Sequence, residues 1–195
     1  GRSNILSRLE KYGVKIDSKD SKVQKILDEV KDREFSGYSY DGADASFELL
    51  ANRLLGKVPE YLKVKSYNVS VAKSETIKTK ANVVFLIDGK NIECNGEGNG
   101  PVNALDNAIR SNFKKVEKYY NFFSDLKLLD YKVRILNTGT EATTRVLIES
   151  TDKTGISWFT VGVSPNIIEA SFKALIDSLD YKLYKEKAPA NLNEK

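Results

Sequence analysis

The chain of 195 residues contains no histidine and only one cysteine, and these two scarcities narrow its chemistry sharply. Histidine is the usual general base near neutral pH and a common metal ligand. Without it there is no His-containing triad and no His-x-His metal site. The single cysteine, Cys94, rules out multi-cysteine zinc and iron–sulfur sites and any internal disulfide. A lone thiol fits a reducing, cytoplasmic setting. No apolar run approaches the ~20 residues of a membrane span, so no membrane partner is expected. A site built from carboxylates alone stays open, so catalysis is disfavoured rather than excluded.

What is present is ordinary for a globular protein: 41% hydrophobic and 30% charged residues, enough for one or two small domains with a sizeable core. The net charge of +4 comes from 31 basic and 27 acidic residues whose signs are interspersed, as in Lys57–Lys65 and Glu141–Lys153. That pattern reads as a solvated surface, with an acidic partner as the alternative.

The first third has a helical period. Ile5, Leu6, Leu9 and Tyr12 share one face ahead of Gly13. Val23, Ile26, Leu27 and Val30 mark a second helix over Asp20–Glu34, with Ser18 or Asp20 as its cap. Phe47, Leu50 and Leu54 mark a third over Ala43–Leu55, ended by Gly56 and Pro59. Residues 1–57 therefore read as a helical subdomain too thin to hold a large core alone.

Beyond Pro59 the period changes to two. Tyr67, Val69 and Val71 alternate with polar residues, as do Ala81, Val83, Phe85 and Ile87, and Asp88-Gly89 is a strong hairpin signal. A short strand over Asn91–Gly96 leads to a glycine-rich turn and a helix with Leu105, Ile109, Phe113 and Val116 as its stripe. The same order then returns. Tyr131, Val133 and Ile135 define one strand, Thr144, Val146 and Ile148 a second, and Ile156–Val163 a third. A helix striped by Ile168, Phe172, Leu175, Leu179 and Leu183 closes the copy. The two helices open at Pro101 and Pro165, 64 positions apart, about the length of one copy. The expected fold is α+β. Two repeated βββα units over residues 58–187 form a sheet-and-helix sandwich, with a flexible tail at 188–195. One helix covers a three-stranded sheet incompletely, so a second copy and a second chain are expected to complete the burial.

Several clusters invite a chemical reading. Gly96-x-Gly98-x-Gly100 lies between strand and helix, but its spacing fits neither a dinucleotide nor a P-loop motif. It reads as a tight turn, or as a cradle for a small anion at a helix N-terminus. Two such termini could converge on one small zwitterion. The element order also resembles a double-stranded-RNA-binding domain in outline. The helix starts Pro101–Asp106 and Pro165–Ala170 are neutral or acidic, which argues against nucleic acid. Tyr131 reads as a buried tyrosine or as a pocket wall, and Trp158 as core or dimer interface. Asp41, Asp44 and Glu48 read as helix-dipole complements.

Gly96–Ala108, Asp130–Arg134, Gly139–Ala142 with Arg145-Val146, and Trp158–Ser171 resemble, in order, the C-terminal regulatory domain of the 2-isopropylmalate synthase and citramalate synthase family. Gly1–Asn4 and Gly37–Phe47 resemble the linker of the citramalate branch. That resemblance covers nearly the whole chain. It implies the linker and regulatory part of a longer enzyme, with Gly1 an internal boundary and this part non-catalytic. The parent would be an acyltransferase that condenses acetyl-CoA with a 2-oxo acid on a barrel holding a divalent metal, and no cofactor is expected here. The resemblance further implies a homodimer that binds a pathway end product at its interface. The matching positions are Gly98, Gly100, Val102 and Asn103, then Leu128, Tyr131 and Ile135, then Thr140, Ala142, Pro165 and Ile167. Val102, Leu128, Ile135 and Ile167 would form an apolar wall, and Asn103 would meet the ligand's ammonium or carboxylate. For a citramalate synthase the expected effector is isoleucine. The alternatives are leucine, with a 2-isopropylmalate synthase parent, and a structural dimerisation domain without ligand.

Overall fold

A computed structural model describes residues 1–138 and 141–193. Three helices come first: α1 (Arg2–Lys11), α2 (Ser21–Phe35) and α3 (Asp44–Leu54). The first unit is β1 (Lys63–Lys73), β2 (Ile77–Ile87), β3 (Lys90–Gly98) and α4 (Pro101–Arg110). After the helical turn α5 (Tyr120–Phe123), the second unit is β4 (Lys127–Thr138), β5 (Glu141–Thr151), β6 (Ser157–Ser164) and α6 (Ile167–Lys185). Each unit forms its own antiparallel sheet with strands in sequence order. The fold is α+β, two βββα units preceded by helices. Asp88 and Gly89, both at positive φ, close the β2–β3 hairpin as a two-residue loop.

The two units share one core. It takes Val83 and Phe85 from β2, Leu105 and Ile109 from α4, Val146 and Ile148 from β5, and Leu175 and Leu179 from α6. Tyr67 of β1 stacks on Phe172 of α6 with ring centroids 4.1 Å apart. Trp158 lies in this core, its indole N–H donating to the Ser178 carbonyl at 3.2 Å.

The glycine-rich segment differs from the expected turn. β3 continues to Gly98, so Gly96 and Gly98 are ladder residues opposite Ala81 and Thr79. The reason is close packing of the helix on its own strand. A Cβ on Gly96 would lie 2.5 Å from the Ala108 Cα, and one on Gly98 2.5 Å from the Ala104 nitrogen. α4 is also shorter than its apolar stripe suggested. It stops at Arg110, and Asn112 ties the turn to the Asn95 and Ala108 carbonyls. Phe113 and Val116 are buried by the wrapping segment instead, with Phe113 packed on Phe123 at 4.9 Å.

The helical subdomain completes its core by borrowing. Leu9, Ile26, Val30, Tyr40 and Phe47 pack together and are closed by Val161 and Val163 from the outer face of β6. α1 and α2 bury the faces that their apolar spacing indicated, whereas α3 is buried all round from Ala45 to Asn52, Leu49 as fully as Phe47. Asp20 caps α2 through the Lys22 N–H. Glu48 is not a dipole complement: it is 5% exposed, well inside α3, and pairs with Lys185 at 3.2 Å. Residues 188–193, expected to fray, are held in place. Asn191 donates to the Tyr61 and Leu86 carbonyls and accepts from the Asp88 N–H, and the Leu192 N–H donates to Asp88. Among the described residues no helix is long and apolar enough to cross a membrane.

α3 is clamped to α6 by charge. Arg53 bridges Asp177 and Asp180, each at 2.9 Å, and Ser46 donates to Asp177 while accepting the Val161 N–H. Asp180 Oδ1 is buried without a partner among the described residues. Burial raises the Asp180 pKa to about 7; Arg53 opposes the rise and the Asp177 charge adds to it. A carboxyl that holds its proton more tightly folded than unfolded lowers stability as pH rises. The loss amounts to at most about 1.4 kcal/mol per pH unit and accrues between the ordinary value and about 7. Asp180→Asn is expected to remove that slope. Urea unfolding of both proteins at pH 5, 6.5 and 8 measures it, and parallel curves at all three would contradict it.

Candidate functional site

Strand register brings Ile135, Ala142, Pro165 and Ile167 towards the start of α6, while Gly98, Gly100, Val102 and Asn103 surround the start of α4; Tyr131 and Leu128 are left further down β4, Leu128 opposite Ser150 at the far end of the sheet. In the second unit Ile135 lies opposite Thr144, and Thr144 opposite Ser164, directly before Pro165 and Ile167. Ala142 lies two residues before Thr144 on β5, opposite Asn137. Tyr131 and Leu128 follow back along β4, where a bulge between Leu128 and Asp130 shifts the register. Alternation places Tyr131, Val133 and Ile135 on the face that carries Ile148, Val146 and Thr144, yet those β5 residues are buried and the β4 row is not. Tyr131 is 45% exposed, Val133 39% and Ile135 75%, with Ile167 at 41% beside them. Tyr131 is therefore not the buried tyrosine of the simpler sequence reading. α6 covers β5 and β6 and leaves the edge strand open. Thr140 lies outside the described residues.

In the first unit Gly98 ends β3 and Gly100 is the N-cap of α4, with Pro101 at the first helical position. Gly100 is extended and a Cβ there would meet nothing within 4 Å, so glycine is not required by strain or space. Asn103 turns its Oδ1 to the Asn99 N–H at 3.1 Å and to the Asn107 side-chain amide at 3.4 Å. It thereby ties down the turn. Val102 is buried in the shared core rather than lining an open wall, and Leu128 packs against that core.

The two helix starts are not alike. α4 has no side-chain cap. In α6 Pro165 stands before the N-cap, and Asn166 fills that role with its Oδ1 accepting from the Ile168 and Glu169 N–H groups. A side chain has taken two of the donors that a carboxylate was expected to use there. Burial pushes the Cys94 thiol up to about 11, so it is not a nucleophile near neutral pH. Among the described residues no group of three or more His, Cys, Asp or Glu side chains is placed to hold a metal ion.

Sequence reasoning missed one feature. An open groove of about 1400 Å³ runs between α2, the turn after it, the start of β1 and α6, lined in part by Tyr38, Val64, Val163 and Phe172. Its walls come from segments far apart in the chain, so no local pattern announced it.

Residues 41–183 match the LeuA allosteric (dimerisation) domain family. The chain belongs to that family. It is 47% identical over 190 residues to the (R)-citramalate synthase of Geobacter sulfurreducens, covering 95% of this chain and 35% of that protein. It is 44% identical over 191 residues to the (R)-citramalate synthase of Aquifex aeolicus, covering 95% and 35%. The 2-isopropylmalate synthase of Burkholderia pseudomallei is more distant, 32% identical over 192 residues, covering 94% and 33%. The chain thus spans about a third of the length of the curated relatives it matches. As a LeuA domain it is a regulatory and dimerisation module. The family match takes in α3 and both βββα units but begins after α1 and α2, whose core β6 nevertheless completes.

Proposed function

We propose that this LeuA domain is the amino-acid sensor of a citramalate synthase, and that it binds isoleucine where two copies meet. The observation that carries the reading is the open apolar row Tyr131, Val133, Ile135 and Ile167 beside a helix start. A long edge strand with such a row calls for a cover. A second copy supplies one, and an aliphatic side chain fits between the two. The higher identity to proteins named (R)-citramalate synthase favours isoleucine over leucine. The parent enzyme would be a cytoplasmic acyltransferase that joins acetyl-CoA to pyruvate on its barrel, where the divalent metal would also reside. The ligand's carboxylate would face the uncapped first turn of α4, whose free N–H groups carry partial positive charge.

Titration calorimetry with isoleucine and leucine, together with sedimentation of the free protein, tests this. A dimer that binds isoleucine about ten- to two-hundredfold more tightly than leucine is expected, the range that one misplaced methyl commands. Binding of leucine without isoleucine supports a 2-isopropylmalate synthase parent instead. A dimer that gives no heat with either amino acid supports a purely structural role.

A further inference from the structure

Near its β4–β5 end the sheet β4–β5–β6 meets different parts of the protein on its two faces. On the inner face stand Ile135, Thr144 and the start of α6, the second half of the proposed effector site. On the outer face lies the turn that follows α2. Gly37, at φ 113°, sits so close that a Cβ there would lie 3.3 Å from Leu136 Cδ1, 3.3 Å from Val163 Cγ1 and 3.5 Å from Thr143 Cγ2. One turn thus touches all three strands. Arg145 reaches up from β5 and donates to the Gly37 carbonyl at 3.1 Å.

Neighbouring residues along a strand point to opposite faces. Ile135 and Thr144 face the effector side, while Leu136 and Arg145, the next residue on each strand, face the turn. The same two strands thus carry both the effector-side residues and the residues that touch the Gly37 turn. The open groove beside the turn, lined by Ser36, Tyr38, Glu141 and Thr143 among others, leaves it room to move.

We propose that Arg145 is the positioning residue that carries effector occupancy through the sheet to the helical subdomain, by holding the Gly37 turn to β5. This rests on the sensing function proposed above. Arg145 is argued to act without touching the ligand, so its loss is read in the response rather than at the ligand contacts.

The test uses the full-length enzyme and two variants. Arg145→Met keeps the aliphatic stem and removes the donor. Gly37→Ala disturbs the same contact from the linker side, and it serves if Arg145→Met is recovered unfolded. In the wild type, isoleucine is expected to bind, to inhibit condensation and to slow amide exchange at residues 36–40. In each folded variant the isoleucine Kd is expected to stay within about twofold. The inhibition reached at saturating isoleucine should fall at least tenfold, and the exchange response at 36–40 should disappear. Full inhibition of both variants with an unchanged exchange response overturns the coupling role alone. No isoleucine binding by the wild type overturns the sensing function, and this inference with it.

Discussion

Gly162→Ala is expected to cost about 3 kcal/mol or more of folding free energy, out of proportion to one added methyl. Gly162 lies on β6 under α6. A Cβ there would run into the Ala170 carbonyl oxygen and would lie 2.7 Å from the Ala174 nitrogen and 2.9 Å from the Lys173 Cβ. The first two are backbone atoms in the first two or three turns of a 19-residue helix, so they cannot yield one at a time. Ala170 and Ala174 are fully buried, and Thr160 donates to the Ala174 carbonyl at 2.8 Å. Relief requires lifting the helix, which opens the core around Leu175 and Leu179. Gly155→Ala is the matched comparison. That turn glycine has φ 75° and nothing near its Cβ position, so only the left-handed conformation is penalised, at about 1–2 kcal/mol. Urea midpoints for the two variants measure the difference. Equal losses would mean that α6 does not depend on backbone contact at Gly162.

Lys182→Met is expected to cost about 3–5 kcal/mol at neutral pH, the usual consequence of leaving a buried charge without its partner. The Lys182 side chain is 2% exposed and meets Asp152 at 2.6 Å, Glu186 at 2.9 Å and Asp125 at 3.3 Å. These carboxylates come from the β5–β6 turn, the last turn of α6 and the segment before β4. One ammonium therefore gathers three segments of the second unit. Burial opposes its charge, but hydrogen bonds to Asp152, Glu186 and Asp125 outweigh that and raise its pKa. Burial likewise works against the Asp152 carboxylate, and the bonds from Lys182 and Thr154 more than compensate, so its pKa is lowered. The signs define a window. The carboxylate contribution is present above its ordinary value and lost as pH falls through the lowered one. The ammonium contribution is present at neutral pH and lost only as pH rises through the raised value. The penalty for Lys182→Met should therefore be full at pH 7 and shrink below pH 4, and adding Asp152→Asn should recover part of it at pH 7. An equal penalty at pH 7 and pH 3.5 would show that lost packing, not lost pairing, dominates.

The repeat was legible because it rests on local signals. The period-two runs around Val83 and Val146, the Asp88-Gly89 loop and the helical stripes of α2 and α6 each declare themselves within a few residues. The two prolines shared a sequence position but not a role, since only Pro101 entered its helix while Asn166 took over as cap at the second. Gly98 was misread for a similar reason. A glycine before a proline-led helix looks like a turn from sequence, whereas its function as a strand residue depends on a helix that folds back over it.

By itself the sequence determined the duplicated βββα order, the three leading helices with the buried faces of α1 and α2, and the family likeness. Each follows from the hydrophobic period, the turn chemistry or the motif order of a short stretch. Only the tertiary structure decided where α1–α3 dock, how Arg53 and Lys182 find their carboxylates, that β4 keeps an open apolar edge, and that Arg145 reaches Gly37. Those contacts join residues that are often about 30 to 130 positions apart. Closing such distances costs chain entropy that only the assembled core offsets, so no local pattern records them.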